Sequence, residues 1–237
     1  MSSHRPDLRL DWATTRAAKF ACERWHYTGS MPNAGVKVGV WEGGAFAGVI
    51  LFGVGAGRST DGRKYGLARA KDVAELQRVA LRPGHAHAVS RCIAIAVRML
   101  RRQSPDLRLL ISFADTAQGH HGGIYQAAGW TYAGLTEGDR AYIIHGQPKH
   151  PKTIHSNGWK QDAAWLRANV DPKARCEMTP PKHRYLLPLD DAMRPVVAAL
   201  SKPYPKRTKD QDAGPHPALG GETPTRPLQH HEAACVG

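Results

Sequence analysis

Two apolar runs joined by a glycine pair dominate the hydrophobic pattern early in the chain. Residues 36–41 and 45–52 are mostly apolar, and Glu42-Gly43-Gly44 lies between them. Because glycine tolerates the positive φ angles of a tight hairpin turn, this pattern predicts a β-hairpin. Upstream, residues 11–25 are rich in alanine and favour a helix that Asp11 caps.

A strand–helix–strand unit follows in the middle of the chain. Residues 75–82 predict a strand, and residues 88–102 repeat apolar positions with the period of an amphipathic helix whose outer face is basic. Residues 107–115 form an apolar run that is typical of a buried, parallel strand. With a short helix over 123–129 and a strand over 141–145, this alternation predicts an α/β (α+β) fold, a mixed central β-sheet flanked by helices.

The composition of the sequence changes after Gly146. Residues 147–189 hold eight Lys and Arg against three Asp and Glu, and a short helix is predicted around 160–169. Residues 201–237 are rich in Pro and Gly with little apolar clustering, which predicts disorder. We therefore predict a catalytic domain over 1–146, a basic extension over 147–200 that packs on it, and a disordered tail over 201–237.

Charge narrows the class of partner. The chain has 33 Lys and Arg against 20 Asp and Glu, a formal net charge of +13. Such a protein is drawn to polyanions, because neutralising phosphates releases their condensed counterions. No apolar run approaches the roughly 18–20 residues that span a bilayer, and residues 1–10 lack the apolar core of a signal peptide. The four scattered cysteines form no CxxC pair, so we expect a protein of the reducing cytoplasm.

A short signature lies behind the second strand of the α/β unit. Residues 124–130 read IYQAAGW, which resembles the aliphatic-Tyr-x-x-x-Gly-aromatic run of the GNAT superfamily of N-acetyltransferases. The resemblance implies that Tyr125 is a general acid, which in that superfamily protonates the departing thiolate of coenzyme A. The alternative is that Tyr125 packs against the sheet.

Four segments together resemble a narrower family. They are Trp25-His26-Tyr27, ELQRVAL at 75–81, FADTAQGHHGGIYQAAGW at 113–130 and KHRYLLPL at 182–189. In this order, over roughly residues 20–190, they resemble the bacteriophage Mom family. The resemblance implies an enzyme of the host bacterial cytoplasm that converts adenine in double-stranded DNA to N6-carbamoylmethyladenine, which shields phage DNA from host restriction enzymes.

Four further residues suit chemistry at adenine N6. That amine is a poor nucleophile, so its attack needs a proton acceptor or a more electrophilic partner. Asp115, at the mouth of a buried strand, suits proton acceptance or binding of the base, although Asp also often caps a turn. His26 and Tyr27 suit binding or deprotonation of the base, although such a pair is often structural. Ser112 suits orientation of the substrate.

Basic residues supply the predicted DNA contacts. Residues 63–102 hold ten Lys and Arg against two Asp and Glu. We assign DNA contacts to Arg63, Lys64, Arg78, Lys182 and Arg184. Arg78 has an alternative in pairing with Glu75 or Asp72. Trp159, Trp165 and Tyr185 lie between cationic residues of 147–189, as suits stacking on an unpaired base, and modification of N6 in a duplex requires the base to be flipped out.

The cofactor stays open at this stage. GNAT enzymes hold the coenzyme A pyrophosphate in a Gln/Arg-x-x-Gly-x-Gly/Ala loop, for which this chain offers Arg82, Gly84, His85 and Ser90. His85 stands where the first glycine is expected, and its side chain crowds a backbone that must approach the pyrophosphate closely. Acyl-coenzyme A and another donor therefore both remain open.

Histidines raise the question of iron or zinc. The candidate pairs are His85 with His87, His120 with His121, and Cys22 with His26. No spaced set of four ligands accompanies them, so we assign no metal site and leave iron open.

Two alternative functions remain beside adenine modification. One is a GNAT N-acetyltransferase that acts on a small amine or a protein lysine. The other is a DNA-binding protein without enzymatic activity.

The net charge of +13 makes a first prediction. Affinity for duplex DNA should fall steeply as salt rises, with log K decreasing by roughly 0.9 per phosphate neutralised for each unit of log salt concentration. A binding titration at several salt concentrations measures this slope. A slope near zero would contradict the polyanion argument.

Overall fold

The computed structural model describes residues 6–55, 60–149 and 151–205, without the side chains of residues 151 and 152. The strands that form the central sheet are β1 (Leu8–Trp12), β2 (Val36–Glu42), β3 (Ala45–Gly53), β4 (Val73–Leu81), β5 (Leu109–Asp115), β6 (Thr131–Leu135) and β10 (Lys182–Pro188). Their order across the sheet is β1-β2-β3-β4-β5-β10-β6. Strands β4 and β5 are parallel, and the other neighbouring pairs are antiparallel.

Helices cover both faces of this sheet. They are α1 (Thr15–Trp25), α2 (Val89–Gln103), α3 (Gly123–Ala127) and α6 (Met193–Ala199). Helices α4 (Pro151–Ser156) and α5 (Ala163–Asn169) pack instead on a second, smaller sheet. Successive residues of a strand point to opposite faces, and in β3 Val49 and Leu51 pack with α1 whereas Ile50 and Phe52 pack with α2. The predicted α/β class, a mixed sheet flanked by helices, is confirmed.

Most of the predicted elements are present with shifted ends. The hairpin is β2–β3, and α2 buries its apolar stripe as its period predicted. The cap predicted for the first helix is wrong. Asp11 lies within β1 opposite Gly39, so the helix starts later, and the Thr14 hydroxyl caps it by accepting from the Ala17 N–H at 3.2 Å.

The segment beyond residue 146 contributes to two sheets. Strands β7 (Arg140–Ile144), β8 (Gln147–Lys149) and β9 (Arg175–Met178) form a small sheet of their own in the order β8-β7-β9. Strand β10 instead enters the central sheet between β5 and β6. Part of the predicted basic extension therefore completes the core sheet. The tail prediction for 201–237 falls mostly outside the described residues.

A glycine fixes the approach of α3 to the sheet. Gly122 precedes α3 with φ +81°, and a Cβ added there would lie 2.2 Å from the ring of Tyr185. Tyr185 is fully buried on β10, and its hydroxyl donates to the His121 carbonyl. Close contact at Gly122 thus sets where α3 presents Tyr125.

Replacing Gly122 should expose this constraint. Gly119 has a similar φ of +69° but open space around an added Cβ, so it is a matched control. Gly119→Ala should cost about 1 kcal/mol of unfolding free energy through backbone strain. Gly122→Ala should cost about 2 kcal/mol more, because the buried ring must move. Urea unfolding measures both, and equal losses would contradict the packing constraint.

Candidate active site at the strand gap

The parallel pairing of β4 and β5 stops halfway along both strands. Registered pairs run from Val73–Leu109 to Glu75–Ile111, although β4 continues to Leu81 and β5 to Asp115. Where the ladder ends, the buried Ser112 hydroxyl donates to the Leu76 carbonyl at 2.8 Å. A side chain thus satisfies a backbone group that the ladder leaves without a partner. We call the region between the unpaired halves of β4 and β5 the strand gap.

Tyr125 reaches the strand gap from α3. Its side chain is buried, against the rings of Trp130 and Tyr185 at centroid distances of 5.4 and 5.2 Å. Burial raises the pKa of Tyr125 to about 12, although the neighbouring Ser112 hydroxyl acts in the opposite direction. Tyr125 is therefore a protonated phenol at neutral pH. It packs against the core, as the alternative predicted, and its hydroxyl also faces polar groups of the gap.

Asp115 and Tyr27 meet at the end of β5. Burial and the Asp115 carboxylate together raise the pKa of Tyr27. Asp115 also accepts from the Ala117 N–H at 3.0 Å and so caps the following turn. Asp115 has the capping role that the sequence left open, and it also lies beside a phenol.

An aromatic surface adjoins this pair. The rings of His26 and Tyr27 stack at a centroid distance of 4.4 Å, and His120 meets Tyr27 edge-on at 5.4 Å. Tyr27 keeps 46% of its surface exposed. Burial, aided by the positive charge of Arg78, lowers the pKa of His26 to about 4, so that its imidazole is neutral at pH 7.

Arg78 connects the groups around the gap electrostatically. Its charge acts on the pKa values of Tyr27, Glu75 and Tyr125. Its Nη1 donates to the Gln77 carbonyl at 2.7 Å, whereas its buried Nε has no partner among the described residues. The alternative pairing with Asp72 is not observed, because Asp72 binds Arg69 at 2.7 Å.

Glu75 is a member of this cluster that sequence reasoning treated only as a partner for Arg78. Burial raises the pKa of the Glu75 carboxyl, and the charges of Arg78 and Lys182 act against that rise. The available signal was its position three residues before Arg78 on the same predicted strand. The structure thus brings together all five residues of the predicted catalytic set, which are His26, Tyr27, Ser112, Asp115 and Tyr125. Arg78, predicted as a DNA contact, joins them, as do Glu75 and His120.

The predicted cofactor loop lies elsewhere, between β4 and α2, and holds a carboxylate of the protein itself. Glu42 accepts from the Ala86 N–H at 2.9 and 3.0 Å and from the His87 N–H at 2.9 Å. Arg82 completes the arrangement with an ion pair to Glu42 at 3.0 Å. Burial alone would raise the pKa of Glu42, but these donors outweigh it and hold that pKa below its ordinary value. Glu42 was not predicted as a site residue, because the sequence pattern places it in the hairpin turn.

The other residues of this loop have no such contacts. Gly84 makes the turn with φ +69°. The His85 ring lies against the His87 carbonyl oxygen at 2.8 Å, and Ser90 stands in the first turn of α2.

The residues that were predicted to contact DNA differ in whether they bind a partner within the protein. Arg63 forms an ion pair with Asp61 at 2.7 Å, and Arg184 donates to the Ala133 carbonyl at 2.9 Å. Lys64 is exposed, whereas Arg78 and Lys182 adjoin the strand gap. Exposed arginines also line the outer face of α2, at positions 91, 98, 101 and 102.

The candidate metal pairs point to other partners. The His87 ring contacts the Pro6 carbonyl oxygen at 2.7 Å. Cys22 lies on the buried face of α1, and that burial raises the pKa of its thiol. Within residues 6–55, 60–149 and 151–205, no group of three or more His, Cys, Asp or Glu side chains is placed to hold a metal ion. Over the same residues, no helix is long and apolar enough to cross a membrane.

Comparison with known proteins identifies relatives over most of the chain. The model of the Mom protein family matches residues 7–206. The methylcarbamoylase Mom of Escherichia phage Mu is 26% identical over 206 residues, which are 84% of this chain and 84% of that protein.

Two solved acetyltransferases are similar at low identity. One, from Bacillus subtilis and in complex with CoA, has a TM-score of 0.40 and 10% identity over 78% of this chain and 100% of its own. The other, a GNAT-family protein from Bacillus cereus, has a TM-score of 0.38 and 12% identity over 77% of this chain and 97% of its own.

The half-buried, neutral His26 makes stability depend on pH. Its pKa is about 4 in the folded protein against 6.5 for the free side chain, so the unfolded chain binds more protons between these values. Stability from this group is complete above pH 6.5 and is lost as the pH falls towards 4. Wild type should therefore lose more unfolding free energy between pH 7 and pH 5 than His26→Asn, in which the amide replaces the ring. Parallel losses in urea unfolding would contradict a neutral His26.

Proposed function

This chain belongs to the Mom protein family, and we propose that it is a phage DNA modification enzyme that converts adenine to N6-carbamoylmethyladenine. Its likeness to the methylcarbamoylase Mom of phage Mu supports a transferase of this kind. The proposed substrate is double-stranded DNA in the cytoplasm of the bacterial host. The proposed result is protection of that DNA against restriction enzymes.

The observation that carries the proposal is the set of groups around the strand gap. Asp115 lies beside Tyr27 at the end of β5, and the Tyr125 phenol enters the gap from α3. Arg78 is close enough to influence both tyrosines. A carboxylate and a protonated phenol near one cation are the groups that proton transfer from an amine and to a leaving group requires.

Each group has a separate role in the proposed reaction. Asp115 accepts a proton from the adenine N6 as that nitrogen bonds to a carbon of the activated donor. The bond from that carbon to its leaving group breaks, and the electron pair departs with the leaving group. Tyr125 donates a hydrogen bond or proton there, because its pKa of about 12 keeps it protonated at neutral pH.

The aromatic surface suits an extruded base. Tyr27 is half-exposed and carries the stacked ring of His26, and stacking of a base on aromatic rings contributes about 1–3 kcal/mol. A neutral His26 adds no charge that would oppose a purine. The base reaches this surface by rotating out of the duplex.

Positive charge brings the duplex to this site. Lys182 adjoins the strand gap, and Lys64 and the α2 arginines 91, 98, 101 and 102 offer further cations to phosphates. Arg63 and Arg184 have internal partners, so their proposed DNA contacts require those partners to be shared with phosphate. These contacts position the DNA and do not select its sequence.

Nucleoside analysis tests the proposed reaction. DNA from bacteria that express the wild type should contain adenine carrying a carbamoylmethyl group, detected by mass spectrometry after digestion. Asp115→Asn and Tyr125→Phe should lower that product by about 100-fold or more, because each removes a proton-transfer group. Asp191→Asn repeats the carboxylate-to-amide change at an exposed position beyond the far end of β10 and should leave the product level unchanged.

Three outcomes separate the candidate functions. Unmodified adenine despite soluble wild-type protein would contradict the proposal and would fit the N-acetyltransferase or the plain DNA-binding protein. An N-acetyltransferase would in addition acetylate amines with acetyl-coenzyme A. Full product from both gap variants would contradict the roles of Asp115 and Tyr125.

A further inference from the structure

We propose that Glu42 permanently occupies the anion-binding loop between β4 and α2, so that this chain takes its donor without the pyrophosphate anchor of coenzyme A. The inference rests on the proposed function in one respect, namely that a donor is used at all. It restricts the donor to molecules that are not anchored through a pyrophosphate. The site of chemistry and the closed loop are separate structures, and each is testable alone.

Glu42 has the contacts that a bound phosphate would have. A helix N-terminus presents free N–H groups and a partial positive charge to anions. Here the N–H groups of Ala86 and His87, in the loop just before the α2 N-cap Ala88, both donate to the Glu42 carboxylate, at 2.9–3.0 Å. The Arg82 guanidinium, a second group suited to phosphate, binds the same carboxylate at 3.0 Å.

The fold itself delivers this carboxylate. Glu42 is the last residue of β2, where it lies opposite Leu8 of β1 and Ala45 of β3. Only 4% of its surface is exposed. The backbone on both sides of Glu42 is thus tied into the sheet. The buried carboxylate does not leave the loop without losing its ion pair with the half-exposed Arg82 and its two N–H donors, which is costly.

The N-terminal segment covers the loop from outside. The His87 ring contacts the Pro6 carbonyl oxygen at 2.7 Å, and His87 is 5% exposed. Next to it, the Gly43 N–H donates to the Asp7 carbonyl at 2.8 Å. Residues 6 and 7, just before β1, therefore lie against the loop that holds Glu42.

The residues present do not fit a bound pyrophosphate. In this loop a pyrophosphate would compete with Glu42 for the Ala86 and His87 N–H groups and for Arg82, and its charge would face an ionised carboxylate. Like charges placed together in this way oppose binding strongly. The His85 side chain, folded onto the His87 carbonyl at 2.8 Å, adds steric crowding. The donor is therefore a molecule that binds through groups other than a pyrophosphate.

Calorimetric titration of the full chain tests this closure. Wild type should show no saturable binding of inorganic pyrophosphate, and coenzyme A should bind no better than pantetheine, which lacks the pyrophosphate. Glu42→Gln removes the charge but keeps the shape, and should raise the affinity for inorganic pyrophosphate by about tenfold or more. Glu23→Gln changes an exposed glutamate of α1 and should behave as wild type.

The outcomes separate this proposal from the proposed function. Wild-type binding of coenzyme A that is at least about tenfold tighter than that of pantetheine would overturn the closure. Equal pyrophosphate affinity in wild type and folded Glu42→Gln would overturn the role of Glu42. If Glu42→Gln does not fold, the comparison of coenzyme A with pantetheine on wild type still decides. Absence of modified adenine in cells would count only against the proposed function.

Discussion

The site depends on the end of the parallel ladder between β4 and β5. Registered pairing stops at Glu75 and Ile111, and the Ser112 hydroxyl then binds the Leu76 carbonyl in place of a further ladder bond. Had the ladder continued, β4 and β5 would have consumed their backbone groups and closed the sheet where Tyr125 now enters. Ending the ladder early converts the middle of a buried sheet into a place for polar chemistry.

The polar groups of the strand gap and those of the loop between β4 and α2 have different surroundings. Around the strand gap, burial keeps Tyr125 protonated and His26 neutral, so both of these proposed site residues are uncharged at neutral pH. At the loop between β4 and α2, the Ala86 and His87 N–H groups and the Arg82 Nη2 all donate to Glu42. The side chains of the strand gap thus remain available for a ligand, whereas these loop donors are already bound to Glu42.

The sequence predicted the elements with strong periodicity and the residues with chemical character. The β2–β3 hairpin and α2 follow from glycine turn chemistry and apolar spacing, and Tyr125 was found through a short signature. Strand β10 was missed because its pairing partners lie about 50 to 80 residues away in the chain, and local pattern carries no such information. Glu42 was missed for the same reason, since its partners at 82–87 are brought to it only by the sheet.

The most direct measurement of the account is a structure of the protein bound to a short duplex with a single target adenine. We expect an extruded adenine stacked against Tyr27, with its N6 within about 3.2 Å of the Asp115 carboxylate. The Tyr125 hydroxyl should lie on the far side of the reacting nitrogen. An adenine that stays paired in the duplex, or one that is bound away from the strand gap, would contradict it.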